Sequence, residues 1–308
     1  MRGRWADALR AFIAERRACG YAYGRSHVCA CERLCSFLGE RDMDEAAFAE
    51  WVAPRDGEAC RTRANRVGLW NVFAGFCVRR DIEAGSFRAD VRLESDFVPH
   101  IYTDEEASAV FSAADAGIAQ RRSPYEPSLI MPAFVRLLYS TGLRFSEAAG
   151  LRWDDVDGRR LSVLGKGGKP RLVVMSASMA EVLERYRGLR VGGGGGLVFC
   201  GREGGPLQNQ LVGTWHRTLL DSAGVRRADG AYPRLHDWRH TFAVGALARM
   251  DAAGVDVRAA LPVLSRYMGH CGPKETEWYL RLTDEGRAGV LERMELYAPH
   301  VAPGLGGV

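Results

Sequence analysis

The sequence predicts a mainly α-helical protein with one small β-hairpin. It places a helical unit at residues 1–94, a linker to about 101 and a larger unit at 102–308. Three observations predict this. Apolar residues recur every three to four positions through most of the chain, the period of a helix with one buried face. Apolar or alternating runs at 160–164 and 170–175 flank a glycine-rich turn, the pattern of a hairpin. The 308 residues also exceed the roughly 250–300 at which a single core stops growing.

The elements follow in order. Residues 5–18 carry Trp5, Leu9, Phe12 and Ile13 at helical spacing, and Gly20 closes that helix. A second helix runs from about Ser26, with Val28, Leu34, Phe37 and Leu38, to Gly39. A third spans roughly 45–52. A fourth covers about 60–79, its apolar side formed by Val67, Trp70, Phe73, Ala74 and Cys77. Periodicity is lost over 84–100, which reads as the linker. Thr103-Asp104-Glu105-Glu106 is a capping box that starts the next helix. Ser128 to Thr141 is strongly apolar and stops at Gly142. After the hairpin, a helix at 178–189 precedes five glycines, Gly192 to Gly196, which predict a mobile loop. Leu197-Val198-Phe199 reads as a short strand. The remainder reads as helical to about 297, ending in a short helix from Glu285 to Tyr297 and a Gly/Pro tail.

Composition excludes several classes. Hydrophobic residues are 47% and charged residues 26%, the balance of a folded rather than a disordered chain. No run approaches the roughly 20 apolar residues of a membrane span. The first residues lack the apolar core of a secretory signal, so a cytoplasmic protein is expected. Six of eight cysteines fall in the first 80 residues without paired zinc-site spacings, and are expected to be buried thiols. A net charge of +4 does not announce a nucleic-acid binder. Only three of the 42 basic residues are lysines: Lys166, Lys169 and Lys274. Arginine keeps its proton throughout the accessible pH range and lysine does not, so a lysine here can serve where a donatable proton is needed. Arg61, Arg63, Asn65 and Arg66 lie early in the fourth helix. They read either as a solvated face or as a surface laid against phosphates. Lys169 and Arg171 in the hairpin carry the same two readings.

Three segments concentrate polar residues: Thr141-Gly142-Leu143-Arg144-Phe145-Ser146-Glu147, His236-Asp237-Trp238-Arg239-His240-Thr241-Phe242, and Met268-Gly269-His270 followed by Tyr279. Arginines clamp phosphate oxygens. A lysine or histidine moves protons. A tyrosine is a covalent nucleophile. No carboxylate cluster accompanies them to hold Mg²⁺, and His-Asp-Trp-Arg-His is not the zinc pattern His-Glu-x-x-His. The set reads as phosphoryl transfer without a metal.

These motifs, in this order and spacing, resemble the tyrosine recombinase (phage integrase) family. Thr-Gly-Leu-Arg-x-Ser-Glu holds the family's first arginine, here Arg144, and its supporting acid, Glu147. Gly-Lys-Gly-x-Lys holds its lysine, Lys166. His-x-x-Arg-His-Thr-Phe-Ala holds His236 and Arg239, with His240 in support. Gly-His and the tyrosine nine residues on are His270 and Tyr279. Trp238 stands where the family more often has an aliphatic residue. The 34 residues from His236 to His270 exceed the usual spacing, the extra length falling around Met250–Pro262.

The resemblance implies a helical SAM-like core-binding domain followed by an integrase-type catalytic domain. It implies cleavage and rejoining of DNA through a 3′-phosphotyrosine at Tyr279. Arg144, Arg239 and His270 would stabilise the transition state, Lys166 would protonate the leaving 5′-oxygen, and His236 would assist proton transfer. No cofactor or metal is implied. The implied partner is double-stranded DNA with inverted-repeat sites, bound by a tetramer, with sister recombinases where the chain is of the transposon-associated type. The C-terminal helix is implied to dock on a neighbouring protomer, the other reading being that it packs on its own domain. The alternatives are a type IB topoisomerase and a catalytically idle DNA-binding accessory protein.

Overall fold

The computed structural model describes residues 4–21, 23–91, 98–118, 125–165, 168, 170–190, 196–201, 204–269 and 279. Lys166, Lys169, His270, Lys274, the glycines 192–195 and the helix expected at 285–297 lie outside them. The chain divides into two compact units, Met1–Phe97 and Val98–Val308.

The first unit has four helices: α1 (Ala6–Ala18), α2 (Arg25–Leu38), α3 (Glu45–Val52) and α4 (Cys60–Val78). α3 starts where the Asp44 carboxylate accepts the Ala47 amide at 2.8 Å, filling one of the donors that a helix start leaves open. The helical-period side chains meet in one core, in which Phe12 packs edge-on against Phe73 and Phe76. The expected linker is corrected here. Trp70 Nε1 donates to the Gly85 carbonyl (2.9 Å), and the Asn71 amide bonds both backbone groups of Phe87 (2.8 and 3.0 Å). The Phe87 ring packs on Phe48. This segment is strapped to α4 by side chains rather than by its own periodic backbone, so the sequence pattern hides it.

The second unit holds α5 (Asp104–Ala116), α6 (Pro127–Thr141), α7 (Phe145–Ala149), β1 (Val156–Asp157), β2 (Arg160–Leu164), β3 (Pro170–Val174), α8 (Ala177–Leu189), α9 (Asn209–Ala223), α10 (Asp237–Ala252) and α11 (Val257–Met268). The capping box forms, with Thr103 Oγ1 accepting the Glu106 amide and Glu106 accepting the Thr103 amide. The sheet is antiparallel in the order β1-β2-β3, with Leu161 opposite Val173 and Val163 opposite Arg171. Leu161, Val163 and Val173 point into the core. β1 is too short to have been read from sequence. Leu197–Phe199 is not a sheet strand: Leu197 forms one isolated bridge, to Arg152. Among the described residues no helix is long and apolar enough to cross a membrane.

α10 runs through the interior of this unit. Trp238 on it is fully buried. It stacks on Tyr102 at 3.7 Å between ring centroids, contacts Phe111 and Tyr139, and donates from Nε1 to His216 Nε2 at 3.0 Å. Trp238→Ala should cost about 3–5 kcal/mol. For a unit of this size that lowers the melting temperature by roughly 6–20 °C in a thermal scan. A loss below about 1 kcal/mol would mean that neighbouring rings close the cavity.

His216 is buried between these aromatics, and burial, with Arg217 nearby, pushes its pKa down to about 3. The unfolded chain therefore binds this proton more readily than the folded one. The stability involved is fully present above about pH 6.5 and is lost as pH falls toward 3. Unfolding midpoints in denaturant should drop through that window, and less steeply in His216→Phe.

Candidate functional site

Two helix ends build the site. α6 ends at Gly142 (φ +64°) and α11 at Gly269 (φ +67°), both in the left-handed conformation that glycine adopts freely. At Gly142 nothing larger fits, because a Cβ would lie 2.4 Å from the Phe242 ring. Both turns leave backbone carbonyls at the negative end of a helix dipole. Arg239, 1% exposed, donates from Nη1 to the Gly142 carbonyl (2.7 Å) and from Nη2 to the Met268 carbonyl (2.6 Å). Arg144 donates from Nη2 to the Gly269 carbonyl (2.9 Å) and from Nη1 to Met268 (3.4 Å). The two guanidiniums therefore converge on one carbonyl. Burial, with Arg144 close by, pushes the Arg239 pKa down to about 10, which leaves it charged at neutral pH.

Glu147, on the one-turn helix α7, is the carboxylate of this cluster. It accepts the Arg144 amide (2.8 Å) and Arg144 Nη1 (3.0 Å), and two N–H groups of Arg171 (both 2.8 Å). Burial opposes its ionisation, but the hydrogen bonds from Arg171 and Arg144 prevail and hold its pKa below the usual carboxylate range. Two guanidiniums bond this carboxylate and the third, Arg239, bonds only neutral carbonyls, which leaves an excess of positive charge suited to an anion with several oxygens.

Tyr279 is 2% exposed and packs with Ala243, Val244, Leu247, Leu264 and Met268. Its hydroxyl lies 3.0 Å from His240 Nδ1. The His240 ring sits edge-on to His236 at 4.8 Å. His236 is exposed, yet the protein around it, with Arg239 and Arg234 next in effect, pushes its pKa down to about 4. It is neutral at pH 7, able to accept a proton.

The structure thus brings Arg144, Glu147, Arg239, His236, His240 and Tyr279 together, while Lys166, Lys169 and His270 lie outside the described residues. Two phosphate-contact expectations are corrected. Arg171 is taken up by Glu147 and by the Tyr267 carbonyl (2.8 Å), not by solvent. Arg66 is buried, paired through two nitrogens with Glu58 and donating to the Ala53 carbonyl (2.9 Å). Arg63 donates to the Val52 carbonyl (2.7 Å), which anchors it on α3. Arg61 and Asn65 stay exposed on α4. Sequence reasoning placed His240 in support without naming Tyr279 as its partner, and missed the Gly142, Met268 and Gly269 carbonyls. The only signal for the latter was a glycine after each apolar helical run.

Comparison with known proteins follows the same lines. Residues 104–285 match the Phage integrase family model. The tyrosine recombinase XerC of Xylella fastidiosa (strain M23) is 36% identical over 247 residues, 78% of this chain and 77% of XerC. The protein y4rB of Sinorhizobium fredii is 35% identical over 210 residues, so the chain spans 66% of y4rB and 64% of itself is matched. The Tn1549 transposon integrase, solved in complex with circular intermediate DNA, superposes with a TM-score of 0.63 at 20% identity, covering 88% of this chain and 94% of that one. That likeness shows a shared fold. With the family model matched over more than half of the chain and XerC matched over more than three quarters of it, this chain belongs to the phage integrase family and is a tyrosine recombinase.

Proposed function

We propose that this recombinase cuts and rejoins double-stranded DNA at specific sites through a 3′-phosphotyrosine formed by Tyr279. The reading is carried by one observation. Arg239 and Arg144 share the Met268 carbonyl, and His240, the residue after Arg239 on α10, holds the Tyr279 hydroxyl. The Tyr279 oxygen attacks phosphorus and the bond to the 5′-oxygen breaks. The phenolic proton leaves through His240 or His236. Lys166 returns a proton to the 5′-oxygen, which an arginine with a pKa above roughly 12 does poorly. Arg144, Arg239 and His270 bond the non-bridging oxygens, where a preorganised donor contributes roughly 3 kcal/mol. Attack by a 5′-hydroxyl of another strand reverses the step, so neither ATP nor a metal takes part.

The first unit binds the same DNA, with Arg61 and Asn65 of α4 supplying phosphate contacts. The sites are inverted repeats, and four protomers exchange strands in pairs, alone or with sister recombinases, to move a mobile element. The Tn1549 integrase solved on circular intermediate DNA supports this reading by its fold.

The test is a nicked duplex that loses its short 5′ fragment on cleavage. A covalent protein–DNA adduct should accumulate, and peptide mass spectrometry should place it on Tyr279. An adduct on another residue, or none on a duplex carrying the true site, overturns the reading. Relaxation of a single plasmid without strand transfer between two sites would indicate a topoisomerase instead.

A further inference from the structure

We propose that Arg171 is a positioning residue for the cleavage reaction: it takes up the charge of Glu147, so that Arg144 keeps its own charge for the phosphate. This rests on the reading of Arg144 as a phosphate clamp and assigns a role to a residue outside that clamp.

Glu147 is buried, and a buried carboxylate needs a charged partner. Arg171 meets it with two parallel N–H bonds of 2.8 Å, the fork geometry in which guanidinium and carboxylate match best. Arg144 gives the same carboxylate one side-chain N–H, at 3.0 Å, and turns its other bonds to the neutral carbonyls of Met268 and Gly269. The pairing is therefore lopsided: Arg171 is the partner in charge, and Arg144 is oriented but not neutralised.

Arg171 is itself fixed. Its Nε donates to the Tyr267 carbonyl at 2.8 Å, and the Tyr267 hydroxyl returns a bond to the Val174 carbonyl of β3 at 3.3 Å. Gly269 makes room for the guanidinium, since a Cβ there would lie 3.0 Å from Nη1. A lysine cannot make three directed bonds from one planar group, so the position calls for arginine. Without Arg171 the buried carboxylate would draw Arg144 into a closed ion pair and remove one positive charge from the phosphate site.

The inference predicts rescue by removing the carboxylate. The full-length protein is assayed on the nicked duplex in single turnover at saturating protein, with DNA affinity measured across a salt range. Arg171→Gln should slow cleavage about a hundredfold, as for the loss of one transition-state donor. Affinity should weaken and the salt slope become shallower by about one phosphate contact at most, that of Arg144, and both should return when Glu147→Gln is added. Arg171→Gln combined with Glu147→Gln should cleave at least tenfold faster than Arg171→Gln alone. A double variant no faster than the single one overturns the proposal. So does a weaker affinity with a shallower salt slope that persists in the double variant, which would make Arg171 a phosphate contact. If the single variant is too unstable to assay, the double variant, which buries no unpaired carboxylate, decides: within tenfold of the unmodified protein supports the proposal, and a hundredfold loss overturns it. Arg144→Gln run alongside separates the two levels, since cleavage at the unmodified rate there would sink the clamp reading itself.

Discussion

Tyr279→Phe is expected to bind site DNA normally and to form no covalent adduct at all. The substitution removes one oxygen, the proposed nucleophile. The ring sits 2% exposed among Val244, Leu247, Leu264 and Met268, where phenylalanine fills the same volume. What the fold loses is the hydrogen bond to His240, worth about 1 kcal/mol. For a unit of this size that shifts the melting temperature by roughly 2–4 °C. Adduct formation on the nicked duplex, DNA affinity and a thermal scan check the three parts. Any residual adduct would move the nucleophile to another residue.

Arg239→Met is expected to separate catalysis from stability. Cleavage should slow by about 10²–10³-fold, the cost of losing a preorganised donor to the transition state. The melting temperature should stay within about 5 °C of that of the unmodified protein. Among the described residues no carboxylate hydrogen-bonds Arg239, whose bonds go to the neutral carbonyls of Gly142 and Met268. Burial pushes its pKa down to about 10, so holding the charge there costs roughly 3 kcal/mol. Methionine fills the space and removes that cost. Against it stand two carbonyls losing a donor, at about 1–3 kcal/mol each if no water replaces it. The terms nearly cancel, as they do when a buried charge gives way to an apolar side chain. Single-turnover cleavage and a thermal scan measure both sides. A melting temperature lower by more than about 5 °C would show that this guanidinium holds the fold together rather than waiting for a phosphate.

Local signals were read well from the sequence. The third helix was placed at 45–52 and found at Glu45–Val52, because Asp44 caps it and its apolar residues share a face. The capping box at Thr103–Glu106 and the glycine stop at Gly142 formed as expected. Where a side chain's partner is distant, the reading failed. Arg66 looked like Arg61, five residues earlier on the same helix, but Glu58 and the Ala53 carbonyl draw it inward. Arg171 looked like a basic residue of a hairpin arm, but Glu147 stands across the unit to receive it. His240 read as a supporting residue without a named partner, since spacing does not reveal that Tyr279, 39 residues on, comes within hydrogen-bond reach. The segment after α4 read as a linker because its order comes from Asn71 and Trp70 rather than from a repeating pattern.

By itself the sequence determined the two-unit helical plan, the hairpin and the ordered set of arginine, histidine and tyrosine motifs. Periodicity, caps and turn glycines act between residues a few positions apart, so they are written locally. Only the tertiary structure decided which arginines are available to a phosphate and which are spent on the protein. A guanidinium's role depends on the carbonyls and carboxylates around it. Here those are set by how the ends of α6 and α11 pack against α7, α10 and β3, distances along the chain that no local pattern spans.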